Sequence, residues 1–131
     1  MSVRVAKSAG FCFGVSRAVE LVEQAAEAGK KVVTLGPIIH NHHVVDKFRA
    51  LGVEVIDAPE QACPGQTVII RSHGVSRAVY EELQRRGVEI IDATCPFVKR
   101  IHGIVSRAEE EGQLPVIIGT PTHPEVEGIA G

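Results

Sequence analysis

Short β-branched runs alternate with longer stretches of helical periodicity along the whole chain, and few folds accept that pattern. Val3–Ala6, Lys31–Leu35, Val53–Ile56, Thr67–Ile70, Val88–Ile91 and Pro115–Ile118 read as strands. Gly14–Ala28, Asn41–Leu51, Ser76–Arg86 and Phe97–Glu111 read as helices. Asn41 is placed to cap the second helix, and Gly29, Gly52 and Gly87 close the first three. Asp57–Gln66, with Pro59, Pro64 and Gly65, reads as a loop. The expected order is βαβαβ-βαβαβ, an α/β fold of parallel sheets with covering helices. Aromatic residues make up only 4% of the chain, so the core must be aliphatic, as such sheets require.

Two internal echoes accompany the alternation. Gly14-Val15-Ser16-Arg17-Ala18-Val19 recurs as Gly74-Val75-Ser76-Arg77-Ala78-Val79, in each case expected to open a helix. Gly52-Val53-Glu54-Val55-Ile56-Asp57 recurs as Gly87-Val88-Glu89-Ile90-Ile91-Asp92, closing a helix and launching a strand. Duplication and convergence explain these equally well. At the other end, Pro115–Ile118 is followed only by His123-Pro124-Glu125-Val126-Glu127-Gly128, which looks like the opening of a helix. A last strand without a covering helix leads to the expectation that a complete fold is longer than this chain.

The 131 residues carry 14 Lys+Arg against 16 Asp+Glu, a formal net charge of −2. That balance argues against a nucleic-acid binder relying on a basic surface. No apolar run approaches the ~20 residues of a membrane span. Met1–Val5 shows no signal-peptide pattern, so the cytoplasm is the expected compartment. The three cysteines are an odd number, unlike a disulfide scaffold.

The reactive side chains fall just after strands or in the turns that enter helices. Cys12 stands between glycines after the first strand, His40 after the second, and His73 after Thr67–Ile70. Cys95 follows Val88–Ile91, and His123 follows Pro115–Ile118. In a parallel sheet these five positions share one edge, where ligands bind. Cys12 and Cys95 at helix entrances suit thiolates, although free cysteines are often simply small buried hydrophobes. His40, His73 and His123 suit phosphate oxygens, or are scattered surface histidines. Glu125 is either a carboxylate favouring a helix dipole or a proton donor in the same pocket. Cys63 lies in a Pro/Gly loop and reads as structural. His42, His43 and His102 read as lying on solvated helix faces. There is no CxxC, Walker A or GxGxxG motif. A Cys/His zinc domain would need paired ligand spacings that this chain lacks.

Five motifs in order carry a resemblance. Gly10-Phe11-Cys12-Phe13-Gly14-Val15, Ile39-His40-Asn41, Ser72-His73-Gly74-Val75, Asp92-Ala93-Thr94-Cys95-Pro96 and His123-Pro124-Glu125-Val126-Glu127-Gly128 resemble the successive motifs of the 4-hydroxy-3-methylbut-2-enyl diphosphate reductase family (IspH or LytB). The resemblance spans essentially the whole chain but less than half of a typical family member. It implies a fold of three α/β modules around a central iron–sulfur cluster, of which 1–94 is the first module and 95–131 the start of the second. It implies the last step of the methylerythritol phosphate route to isoprenoids, in which an allylic hydroxyl is reductively removed from a diphosphate. It implies a [4Fe–4S] cluster held by three cysteines, two of them Cys12 and Cys95. His40, His73 and His123 would hold the diphosphate, and Glu125 would deliver a proton to the leaving hydroxyl. A ferredoxin or flavodoxin would supply electrons. The family's third cluster cysteine, and Ser/Asn residues of its diphosphate site, belong to a C-terminal region outside these residues. This chain alone is therefore expected to hold a cluster poorly and to have little activity. The alternative reading is a non-redox α/β module that binds a phosphorylated metabolite.

Overall fold

A computed structural model describes residues 2–131. Four strands form one parallel sheet: β1 (Val32–Leu35), β2 (Glu54–Ile56), β3 (Thr67–Ile70) and β4 (Glu89–Asp92). Their spatial order is β2-β1-β3-β4. Register pairs Val33 with Glu54, Val32 with Thr67, and Thr67 with Glu89. The two central strands are buried along their whole length, while β2 and β4 are partly exposed. This is the parallel α/β fold expected from continuous β-branched runs.

Alternate side chains send each strand's apolar groups to opposite faces. On one face Val32 and Ile69 pack with Ala18, Val22 and Ala25 of α1 (Phe13–Glu27) and Phe48 of α2 (His42–Ala50). On the other, Val33, Leu35, Val68 and Ile70 pack with Leu83 of α3 (Arg77–Arg85) and with Ala62. Asn41 caps α2, its Oδ1 accepting from the His43 N–H at 3.0 Å. Ser76 caps α3 in the same way through Val79. Two further helices, α4 (Pro96–Glu110) and α5 (Pro124–Ala130), each begin with proline, whose missing N–H is not needed there. A short 3-10 turn over Pro59–Gln61 lies within the expected loop.

Two expected strands are absent from the described sheet. Val3–Ala6 forms no strand and has no strand pairing, with Val3 90% and Val5 79% exposed. Pro115–Ile118 is likewise unpaired, with Val116 and Ile118 almost wholly exposed. A strand exists only when a neighbour accepts its backbone hydrogen bonds, and neither sheet edge reaches these runs. The order is therefore αβαβ-βαβ-αα. The helix-opening echo holds in its job but not in its register: Gly14 is the second residue of α1, whereas Gly74 precedes the Ser76 cap of α3. The second echo holds, since Gly52 and Gly87 both follow helices and launch β2 and β4. Among the described residues no helix is long and apolar enough to cross a membrane.

Candidate functional site

The strand order creates one special crevice. The chain leaves β1 through α2 towards β2, and leaves β3 through α3 towards β4, in opposite directions. At such a switch point the two outgoing turns diverge and leave room for a ligand beyond the carboxyl ends of the strands. His40 lies on the segment leaving β1, and His73 on the turn leaving β3. Their ring centroids are 5.8 Å apart. His123, at the start of α5, brings a third imidazole 5.9 Å from His73 on an edge-on approach.

His73 is the middle ring and is half-buried, with Nδ1 buried and unpartnered among the described residues. Its pKa lies below the ordinary 6.5 because burial disfavours the cation; the positive charges of Arg71, His40 and His123 add to this, and Glu125 opposes it. His123 Nδ1 accepts from the Glu125 backbone N–H at 3.2 Å. The neutral ring then keeps its proton on Nε2, as a free donor. Arg71 crosses over Gly36, where a Cβ would lie 2.7 Å from Nη1. Sequence reasoning missed Arg71; its place directly before the Ser72-His73-Gly74 motif was the available signal.

The two cysteines cap the two longest helices, Cys12 on α1 and Cys95 on α4. Both caps lie at the carboxyl edge of the sheet, because α1 runs down to β1 and α4 starts just beyond β4. Cys12 is exposed and Cys95 half-buried. Gly14 lets them share this region: a Cβ there would stand 2.6 Å from Cys95 Sγ, closer than atoms can approach. Arg17, one turn into α1, reaches across to the Thr94 and Asp92 carbonyl oxygens at 3.3 Å each. It thereby ties the helix of Cys12 to the turn of Cys95. Ser72 joins this turn to the histidines. Its carbonyl accepts from the Cys95 N–H at 2.9 Å, and its hydroxyl donates to the Ile38 carbonyl near His40 at 3.4 Å. Arg17 and Ser72 stand in segments quoted from sequence but received no role there, since a backbone-directed bond leaves no side-chain pattern to read.

Cys63 stands apart. It lies in the loop entering β3, at the amino edge of the sheet, with its N–H donating to Gln66 Oε1 at 2.7 Å. His42 and His43 are exposed on α2, as expected. His102 is not on a solvated face. It is partly buried, and a Cβ on Gly74 would lie 3.2 Å from its Nε2. Helical spacing alone could not show that α4 turns this residue towards the His73 turn. Among the described residues no three His, Cys, Asp or Glu side chains are arranged to hold a metal ion.

Gly14→Ala tests the close approach. The added methyl must displace the Cys95 thiol or shift α1, and overpacking of this kind costs about 1–3 kcal/mol. The expected result is a lower chemical-denaturation midpoint than that of Gly103→Ala, whose Cβ would meet open space.

A model of the LytB protein family matches residues 3–131. The chain belongs to the LytB family. It is 47% identical to the 4-hydroxy-3-methylbut-2-enyl diphosphate reductase of Thermoanaerobacter sp. (strain X514), with all of this chain and 47% of that protein covered. It is 48% identical to the reductase of the same name from Geobacter sulfurreducens, covering 98% of this chain and 45% of the relative. Among solved structures, an (E)-4-hydroxy-3-methyl-but-2-enyl diphosphate reductase, described as the terminal enzyme of the non-mevalonate pathway, superposes with a TM-score of 0.84 at 46% identity. That match covers 98% of this chain and 46% of the other. The E-1-hydroxy-2-methyl-but-2-enyl-4-diphosphate reductase of Plasmodium falciparum gives 0.89 at 32% identity, over 94% of this chain and 39% of the other. This LytB chain thus spans about half the length of the curated relatives it matches.

Proposed function

We propose that this LytB chain forms the part of a 4-hydroxy-3-methylbut-2-enyl diphosphate reductase that holds the diphosphate and two corners of an iron–sulfur cluster. The observation that carries the reading is the row of three imidazoles at the switch-point crevice, tied through Ser72 to the Cys95 cap. His40, His73 and His123 would donate hydrogen bonds to diphosphate oxygens, with His123 doing so through Nε2. Glu125, in the first turn of α5, would pass a proton to the departing hydroxyl so that it leaves as water. The overall reaction takes two electrons and two protons, breaks the allylic C–O bond and yields isopentenyl or dimethylallyl diphosphate.

The donor chemistry fits a [4Fe–4S] cluster at two positions. Cys12 and Cys95 are soft thiol ligands on helix caps, and Gly14 keeps the space beside Cys95 free of a side chain. When bound, the cluster would supply electrons and a Lewis-acidic iron, which side chains lack. The third ligand would come from outside these residues, and a ferredoxin or flavodoxin in the cytoplasm would deliver the electrons. Residues 1–94 form the first module in this reading, since the sheet ends at Asp92, and 95–131 begin the second.

The deciding experiment is anaerobic reconstitution of the holoenzyme containing this chain, assayed for iron, sulfide and product. Iron and sulfide together with formation of the two C5 diphosphates are expected. A colourless protein that binds diphosphates without iron would replace the reading with a non-redox phosphate-binding module.

The histidine row has a separate test. Inorganic pyrophosphate beside His73 favours the imidazolium and should raise its depressed pKa back towards 6.5, read from the ring resonances. Without the anion, the unfolded chain binds protons at this site more readily than the folded one. The contribution of His73 to stability is thus complete above 6.5 and is lost as pH falls below it. Pyrophosphate should remove part of that loss; an unchanged His73 titration would count against the diphosphate site.

A further inference from the structure

A cavity opens away from the imidazole crevice. It lies between α3 and α4, has a volume of about 500 Å³, and is lined by Tyr80, Asp92, Thr94, Lys99, His102 and Ser106 among others. His102 also lines a second hollow of about 140 Å³, shared with Gly128, Ile129 and Ala130 of α5. The imidazole therefore stands between an open cavity and the α4–α5 seam. Glu125 precedes Gly128 and Ile129 by one helical turn, so it lies on the same face of α5, further along that seam. Gly128 also faces the turn before α3: a Cβ there would stand in ordinary contact, 3.4 Å from the backbone of Gly74 and Val75. His102 itself lies under Gly74, and its Nε2 is buried without a hydrogen-bond partner among the described residues.

We propose that His102 is a positioning residue that returns protons from the α3–α4 cavity to Glu125. The proposal rests on the reading of Glu125 as the proton donor to the departing hydroxyl. After each turnover Glu125 is a carboxylate and must regain a proton, while the imidazole row and bound diphosphate occupy the crevice side. A neutral His102 accepts a proton from cavity water, forming imidazolium. The imidazolium gives that proton to the Glu125 carboxylate, directly or through one water, and the ring is neutral again. No electrons move and no bond other than N–H and O–H changes.

The surrounding charges suit a carrier that is neutral at rest. Burial holds the His102 pKa below 6.5, and the Asp92 and Glu125 carboxylates oppose that effect. Arg77 and Glu81 of α3 face the large cavity, as does Lys99 of α4, whose Nζ pairs with Asp92 at 2.6 Å. Arg77 and Glu109 face the smaller hollow. An imidazole that exchanges protons with water is the kind of group that serves as a shuttle.

Two measurements test this. In the 131-residue chain, the His102 ring is titrated by NMR with and without Glu125→Gln. Removing a neighbouring carboxylate charge should lower the His102 pKa by about 0.5 unit or more. In the holoenzyme, His102→Gln should lower kcat about 10-fold or more with KM and iron content unchanged. His102→Ala should behave likewise and regain turnover when free imidazole is added, with the pH profile of the added base. A His102 pKa indifferent to Glu125 would overturn the relay. So would a loss of kcat that imidazole cannot restore, which marks a packing role. A wild-type holoenzyme that binds no iron and makes no product would instead sink the reductase reading, and the relay with it.

Discussion

Replacing Cys95 by serine in the holoenzyme is expected to abolish the cluster, with iron, sulfide and turnover all falling to background. Cys95 caps α4, stands against Gly14 of α1, and has its backbone tied to Ser72 and its turn gripped by Arg17. Its sulfur is thus placed by three separate elements. Serine keeps the shape and the cap but offers a hydroxyl that does not ionise at neutral pH, a poor ligand for iron that prefers thiolates. Cys12→Ser should give the same loss. Cys63→Ser is the control, because that thiol is exposed at the opposite edge of the sheet. Iron assays of the three variants decide the matter. An equal loss in Cys63→Ser would overturn the ligand assignment, and retention in Cys95→Ser would remove this cysteine from it.

Glu125→Gln is expected to leave cluster content and diphosphate affinity intact while slowing turnover by about 10²–10⁴-fold, the range for loss of a positioned general acid. The amide keeps the size of the side chain and disturbs neither the backbone N–H that Glu125 gives to His123 nor the proline start of α5. What disappears is the transferable proton. Single-turnover rates of the reduced holoenzyme separate this from slow product release. Unchanged rates would exclude Glu125 as the proton donor. A loss of diphosphate affinity instead would mean that its charge tunes His73, on which it acts at present.

Much of the sheet could be read from the chain because its signals are local. Thr67–Ile70 is β-branched and buried on both faces, so its assignment agrees residue for residue with the strand observed. The helices were legible from apolar spacing and from the Asn41 cap, within a residue or two at each end. Val3–Ala6 and Pro115–Ile118 carry the same local signal, yet pair with nothing in this sheet. β-Propensity states only that a run fits a pleated surface, and a neighbouring strand decides whether it becomes one.

The candidate site divides in the same way. Sequence alone placed His40, His73 and Cys95 at one edge, because parallel strands joined by right-handed crossovers send every outgoing turn to the same side, whereas Cys12 and His123 were assigned there from two runs that form no strand in this sheet. It also carried the family motifs. It could not show that β3 inserts beside β1 rather than founding a second sheet, and that choice creates the crevice in which His40 and His73 face each other. Nor could it show Arg17 reaching backbone oxygens more than seventy residues away, or α4 turning His102 beneath Gly74. Local propensity and pattern determine which segments become strands and helices and which ends carry the chemistry. Strand order, and the side-chain contacts made across it, depend on burying both faces of the sheet at once, and only the folded chain satisfies that condition.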